Sequence, residues 1–282
     1  VVRACALLGL DGCIVEVQVD FNPRAGLPSF AIVGLPDSAV KESRERVRAA
    51  IKNSGLQFPN KGYVVNLSPA NIQKHSTSYD LAIAVGVLAA TDQVPLGALE
   101  SALFVGELSL DGSVRHVKGV MAMAYTAQQA GYDRLYVAVE DAPQAALVEG
   151  IDVFPVESLG QLVEHLYGLN PIPAYVRQPI VRVEPNTAGM VDFADIKGQE
   201  HVKRALEISA GGNHNVLLSG SPGAGKTLLA RSLPSILPQI TSEEALELTR
   251  IYSVADLIPN GQPLVQSRPF RAPHYTISQA GL

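Results

Sequence analysis

Apolar positions divide the first 170 residues into alternating strand and helix signals. Cys13–Asp20 places Val15, Val17 and Val19 on one face at a period of two, the mark of a half-buried strand. Phe30–Val33 and Tyr63–Leu67 are short β-branched or aromatic runs bounded by proline and glycine, and also predict strands. Asp37 or Ser38 can cap a helix running to about Asn53, with Val40, Val47 and Ile51 at helical spacing. Asp80–Ala90 is almost wholly apolar and predicts a buried helix. Further signals predict strands at 102–109, 134–139 and 151–156 and helices at 118–130, 142–149 and 158–167. The expectation is a mixed α/β domain.

A break follows. Residues 169–189 hold Pro171, Pro173, Pro179 and Pro185 with Asn170, Asn186 and Gly189, which sustain neither a helix nor an inner strand. The organisation expected is therefore a first domain over 1–170, a linker over 171–190 and a second domain over 191–282. Charge differs across the break: residues 1–170 carry 12 basic and 18 acidic side chains, residues 171–282 carry 10 and 9.

Composition narrows the function classes. The chain has 282 residues, 47% of them hydrophobic and 17% charged, with mean hydropathy +0.16, so a sizeable core is available. A net charge of -5 excludes a strongly basic coat for nucleic acid. The longest apolar run, Leu81–Ala90, has ten residues against the roughly 20 of a membrane span. No basic lead precedes a long apolar core, so no secretory signal is expected. Two cysteines, Cys5 and Cys13, build neither a disulfide framework nor a four-ligand zinc site, and the expectation is a reduced, soluble, cytoplasmic protein. The chain begins at Val1 rather than Met, which suggests trimming.

The strongest chemical signal lies in the second domain. Asn215–Ser219 reads as a short strand, then Gly220-Ser221-Pro222-Gly223-Ala224-Gly225-Lys226-Thr227, then a helical run Leu228–Leu233. That is G-x-x-x-x-G-K-T in strand–loop–helix context. The glycines let several backbone N–H groups converge on one point, where a polyphosphate binds. Lys226 can reach β- and γ-phosphates, and the Thr227 hydroxyl can ligate Mg²⁺. The plain alternative is a glycine-rich turn with a chance lysine. Downstream, Glu243, Glu244 and Glu247 lie on an amphipathic helix starting at Thr241 or Ser242, and Asp256 closes no apolar strand. No Walker B acid is therefore expected in these 282 residues, and the sequence reads as a fragment without steady ATP turnover of its own.

Several stretches, in order, resemble the Mg-chelatase-like AAA+ ATPases of the YifB/ComM type. They are Val33–Asp37 (VGLPD) with Lys41–Val47 (KESRERV), Asn66–Ala70, Asp80–Ala90, Asp192–Glu200, and Arg268–His274 (RPFRAPH). Tyr275 stands where that family usually has a second histidine, and Gln73–Ser78 replaces its P-K-E-G-S pattern. The resemblance implies ATP and Mg²⁺ as ligands. It places Ile196, Gly198 and Gln199 beside the adenine, with Leu228 completing the nucleotide-binding stretch. It implies a hexameric ring in which a neighbour supplies missing catalytic parts, and an ATP-driven branch-migration helicase that integrates incoming single-stranded DNA. A remodeller of a protein partner, as in magnesium chelatase, and a nucleotide-binding assembly module without turnover are the competing readings.

The first domain also resembles the Lon protease domain, which is ribosomal-S5-domain-2-like. The fold expectation is thus α/β throughout: an S5/Lon-like domain followed by a partial P-loop AAA+ domain. That register puts Ser78 at the nucleophile position but Met121 where the lysine belongs, with Lys118 three positions earlier. A serine without a neighbouring base is a poor nucleophile, so no peptidase is expected. Two basic groups are candidate DNA or subunit contacts. Lys41, Arg44 and Arg48 share a helix face, with a solvated face partly neutralised by Glu42 and Glu45 as the alternative. Arg268, Arg271 and His274 sit on a proline-stiffened segment, with a rigid structural loop as the alternative.

Overall fold

A computed structural model of the chain describes residues 1–72, 74, 76–178, 191–258, 262–271 and 273. Contacts gather Val1–Pro179 with Leu246–Leu264 into one compact unit, and Ile180–Ala245 with Val265–Leu282 into another.

The first unit is built on a seven-stranded mixed sheet. In chain order the elements are β1 (Val2–Leu8), β2 (Asp11–Asn22), β3 (Ser29–Val33), α1 (Ser38–Asn53), β4 (Gly62–Ser68), α2 (Asp80–Ala90) and β5 (Ala102–Phe104). There follow a two-stranded ribbon β6 (Glu107–Leu108) and β7 (Val114–Arg115), then α3 (Val120–Gln129), β8 (Arg134–Ala138), α4 (Ala142–Ala145), β9 (Asp152–Val156) and α5 (Leu159–Leu166). The sheet order is β3-β4-β2-β1-β5-β8-β9. β1 and β4 each run antiparallel to β2, while the β3/β4, β1/β5, β5/β8 and β8/β9 pairs are parallel.

Side chains alternate between two cores across this sheet. Val2, Ala4 and Ala6 of β1 join Val15 and Val17 of β2 under α1, α2 and α5, whereas Cys5 faces Val120, Met123 and Ala127 of α3 on the other side. β1 carries no polar alternation because both of its faces are covered, and the sequence pattern gave no strand there. α1 begins as expected, with the Asp37 side chain accepting from the Val40 N–H at 2.9 Å, and buries Val40, Ser43, Val47, Ala50 and Ile51. α2 has the predicted bounds and is buried along nine residues, Asp80 included. Across β5, β8 and β9 the in-register Phe104, Tyr136 and Phe154 form an aromatic ladder with ring centroids 4.8 and 5.0 Å apart.

Two expected elements are shorter than predicted. The 102–109 strand is split: β5 ends at Phe104, the Gly106 N–H turns away to Ser78 O, and Glu107–Leu108 form β6 of the separate ribbon. The helix at 142–149 is only the four-residue α4. Within 171–178, Ile172 is buried and donates its N–H to His165 Nδ1 at 2.8 Å, and the Tyr175 N–H donates to Val153 O at 2.7 Å. Residues 179–190 of the expected linker lie outside the described residues.

The second unit contains α6 (Glu200–Gly212), α7 (Lys226–Ser232) and the first turn of α8 (Ser242–Val254), whose remaining turns group with the first unit. Its core is small: Ile196, Leu206 and Leu229, flanked by Phe193, Val202, Leu218, Leu233 and Ile236. The expected strand Asn215–Ser219 is a correction. The segment pairs with no strand among the described residues, and Leu217 is 93% exposed. An apolar β-run forms a ladder only where a neighbouring strand takes its N–H and C=O groups. No helix of the described residues is long and apolar enough to cross a membrane.

Candidate nucleotide site and basic surfaces

The loop Gly220–Gly225 links the extended 215–219 segment to α7. Gly223 and Gly225 hold φ of 82° and 81°, a backbone region closed to most side chains, and Gly225 stands directly before Lys226, the first residue of α7. The Leu229 N–H donates to Gly225 O at 2.9 Å, so the helix is hydrogen-bonded from its first turn. Lys226 Nζ folds back over the loop and donates to Gly220 O at 2.8 Å and Ser221 O at 2.7 Å. The ammonium therefore lies over the loop, and among the described residues its hydrogen bonds go to these two neutral carbonyl oxygens. Thr227 and Leu228 follow on the exposed side of α7.

Of the three positions implied for the adenine, Gln199 meets this loop: its Nε2 donates to Ala224 O at 2.9 Å. Gly198 and Gln199 both have positive φ, 71° and 58°, and turn the chain into α6. Ile196 is buried beside Leu206 and Leu229 in the core of this unit. The chemistry of these groups suits a polyphosphate with a divalent cation. A cation and a hydroxyl stand at adjacent positions, after a loop whose glycines take positive φ.

The two basic groups fare differently. On α1, Lys41 and Arg44 are exposed, Arg44 Nε lies 3.3 Å from Glu45, and the Arg48 guanidinium sits 5.9 Å above the Phe58 ring. In the second unit, Arg268 is engaged internally. It donates to Pro238 O at 2.7 Å and to both Glu244 carboxylate oxygens at 3.0 and 3.2 Å. Glu244 also closes a capping box with Thr241, and the Thr241 N–H bond, with Arg268 second, holds its carboxyl below the ordinary glutamate range. Arg271 is exposed, and His274 and Tyr275 lie outside the described residues.

Ser78 is fully buried, and its Oγ donates to Cys5 O at 3.4 Å. Met121 is buried on α3, and Lys118 is an exposed side chain 3.3 Å from Asp256.

Sequence reasoning missed three polar clusters. Arg46 on α1 grips the buried Asp80 carboxylate, with Nε 2.6 Å from Oδ2. Lys74 is buried with Nζ on Gly34 O at 3.0 Å and on Pro69 O, and desolvation lowers its pKa. Beside it, Gly34 has φ 99°, and a Cβ there would stand 2.1 Å from Leu67 O, so no other residue fits. His116 has Nδ1 against the buried Asp141 and Nε2 3.2 Å from Asp256. The Asp141 hydrogen bond is the main cause raising its pKa to about 9. The signal available for the first was an aspartate heading an otherwise apolar helix, since a buried charge calls for a partner.

A family model for subunit ChlI of Mg-chelatase matches residues 15–141, and one for magnesium chelatase, subunit ChlI, matches residues 192–282. An uncharacterized protein of Mycobacterium tuberculosis is 43% identical over 277 residues, covering 98% of this chain and 54% of that protein. The protein YifB of Salmonella typhimurium is 40% identical over 280 residues, covering 99% and 53%. Competence protein ComM of Haemophilus influenzae is 38% identical over 285 residues, covering 100% and 55%. The chain thus spans about half the length of the curated relatives it matches.

Proposed function

The chain belongs to the magnesium-chelatase ChlI family, and from that premise we propose that it is the ATP-binding part of an AAA+ motor that migrates branched DNA. The observation that carries the reading is the placement of Lys226 over a glycine loop with Thr227 beside it. On nucleotide binding, Lys226 exchanges the Gly220 and Ser221 carbonyls for the β- and γ-phosphates, and Thr227 holds Mg²⁺. Gln199 braces the loop through Ala224 O, and with Gly198 it is the candidate for the adenine side, where Ile196 would contribute only from the core. The name of the Haemophilus relative, a competence protein, supports DNA as the substrate and integration of transforming DNA as the setting. In this reading the full-length protein is a cytoplasmic hexamer, and the 282 residues alone bind nucleotide without steady turnover.

Residues 1–170 then form an S5/Lon-like domain that has no peptidase chemistry, joined through 171–190 to the partial AAA+ domain at 191–282. Arg271 and His274 are its candidate DNA contacts in the second domain, while Arg268 supports the loop. The family descriptions favour one alternative, a remodeller of a protein partner as in magnesium chelatase. The test is ATP-dependent movement of a forked DNA junction by the full-length protein. Junction migration with Mg-ATP is the expected result; absence of both DNA binding and migration favours the protein remodeller.

A further inference from the structure

The first unit is acidic overall, yet the outward face of α1 is not. Lys41, Arg44, Arg48 and Lys52 fall within about 80° of arc at roughly 100° per residue, one row along the helix. Lys41, Arg44 and Lys52 are exposed, and among the described residues no carboxylate pairs with Lys41, Arg48 or Lys52. Arg46, the remaining α1 cation, points away into Asp80. Glu45 stands at the edge of the row and shares Arg44 at 3.3 Å, while Glu42 lies about 100° from Lys41 around the helix.

The row is held rigidly. Asp37 caps the first turn, and Lys74 ties the preceding loop through Gly34 O. Arg46 locks the middle to α2, and Asn53 Nδ2 donates to Leu110 O at 2.7 Å at the far end. Arg48 is oriented by its seat over Phe58. The backbone under the row is thus fixed before an anionic chain lies along it, and ordering it costs little on binding.

We infer that this face of α1 is a contact surface for the phosphate backbone of a single nucleic-acid strand. The row from Lys41 to Lys52 is roughly 16 Å long at about 1.5 Å per residue. A stacked strand rises about 3.4 Å per phosphate along its axis, so the row spans the rise of about five phosphates. The acidic remainder of the unit does not cancel it, because charges beyond about 8 Å are screened at physiological salt. The contact carries no base recognition, as suits a motor that moves along any sequence. This inference rests on the DNA reading above and adds where the strand is held.

The test is fluorescence anisotropy of a labelled oligo-dT strand with the full-length protein, between about 50 and about 200 mM salt. Wild type is compared with Lys41→Gln/Arg44→Gln/Lys52→Gln and with Glu45→Gln, thermal melting confirming that each is folded. The triple variant is expected to weaken binding and flatten the salt slope by about two, at about 0.7 per lost cation. Glu45→Gln is expected to tighten binding, a gain that damaged folding does not produce. Wild type that binds while the triple variant keeps its affinity and slope overturns the inference and leaves the DNA reading standing. A triple variant that loses ring assembly but not strand affinity also overturns it, making the row a subunit contact. Wild type that binds no DNA overturns the DNA reading itself, and this inference with it.

Discussion

Arg46 and Asp80 join α1 to the head of α2 through a two-pronged contact, Nε to Oδ2 at 2.6 Å and Nη2 to Oδ1 at 3.2 Å. Asp80 is fully buried and also accepts the Leu108 N–H at 3.3 Å, so three elements converge on one carboxylate. Removing the guanidinium strands that charge in an apolar core. Arg46→Ala is expected to destabilise the protein by about 3–5 kcal/mol, measured by urea denaturation. A loss below about 1 kcal/mol would mean that the carboxylate is satisfied without Arg46.

His116 sets a pH dependence whose sign follows from its partners. Asp141, then Asp256, raise the imidazole from 6.5 to about 9 in the folded state. The stabilisation is complete below about pH 6.5, where both states are protonated, and is lost as pH rises through about 9. The ring is half exposed, so solvent screening reduces the effect to about 1 kcal/mol. Melting temperature should fall between pH 6.5 and pH 9 for the wild type, and fall less for His116→Gln. Parallel curves for the two proteins would remove His116 as the source.

Ser78 lies in the core of the first unit. Its hydroxyl is buried against Cys5 O, and Lys118 is occupied with Asp256 on the surface. Ser78→Ala should leave ATP binding intact and cost about 1 kcal/mol of stability, while neither form hydrolyses an unstructured protein substrate. Hydrolysis by the wild type that disappears in Ser78→Ala would restore the peptidase reading.

The local devices were the legible part of this chain. Asp37 announces α1, the apolar run after Asp80 announces α2, and the Gly220–Thr227 spacing announces the phosphate loop, because each depends on neighbours in sequence. What depends on distant chain was not legible. β1 is covered on both faces, so Val2, Cys5 and Ala6 show no alternation. α6 starts after Gln199, which provides no capping side chain, so its beginning does not stand out, although Gly211, Gly212 and Asn213 mark its end. The apolar Asn215–Ser219 run reads as a strand in isolation but finds no ladder partner. Arg268 read equally as a DNA or subunit contact and as part of a rigid loop, and only the fold of the α8 capping box shows that Glu244 takes it. Lys74 was passed over because nothing local explains a buried lysine. Its acceptors, Gly34 O and Pro69 O, are brought to it by the β3 and β4 ends.

The central claim, an ATP-binding loop that drives work on DNA, is tested most directly by ATP turnover of the full-length protein with and without single-stranded DNA, alongside Lys226→Ala. The account predicts turnover that rises severalfold when DNA is added and falls to background in the variant. Turnover indifferent to DNA, or surviving the loss of Lys226, would contradict it.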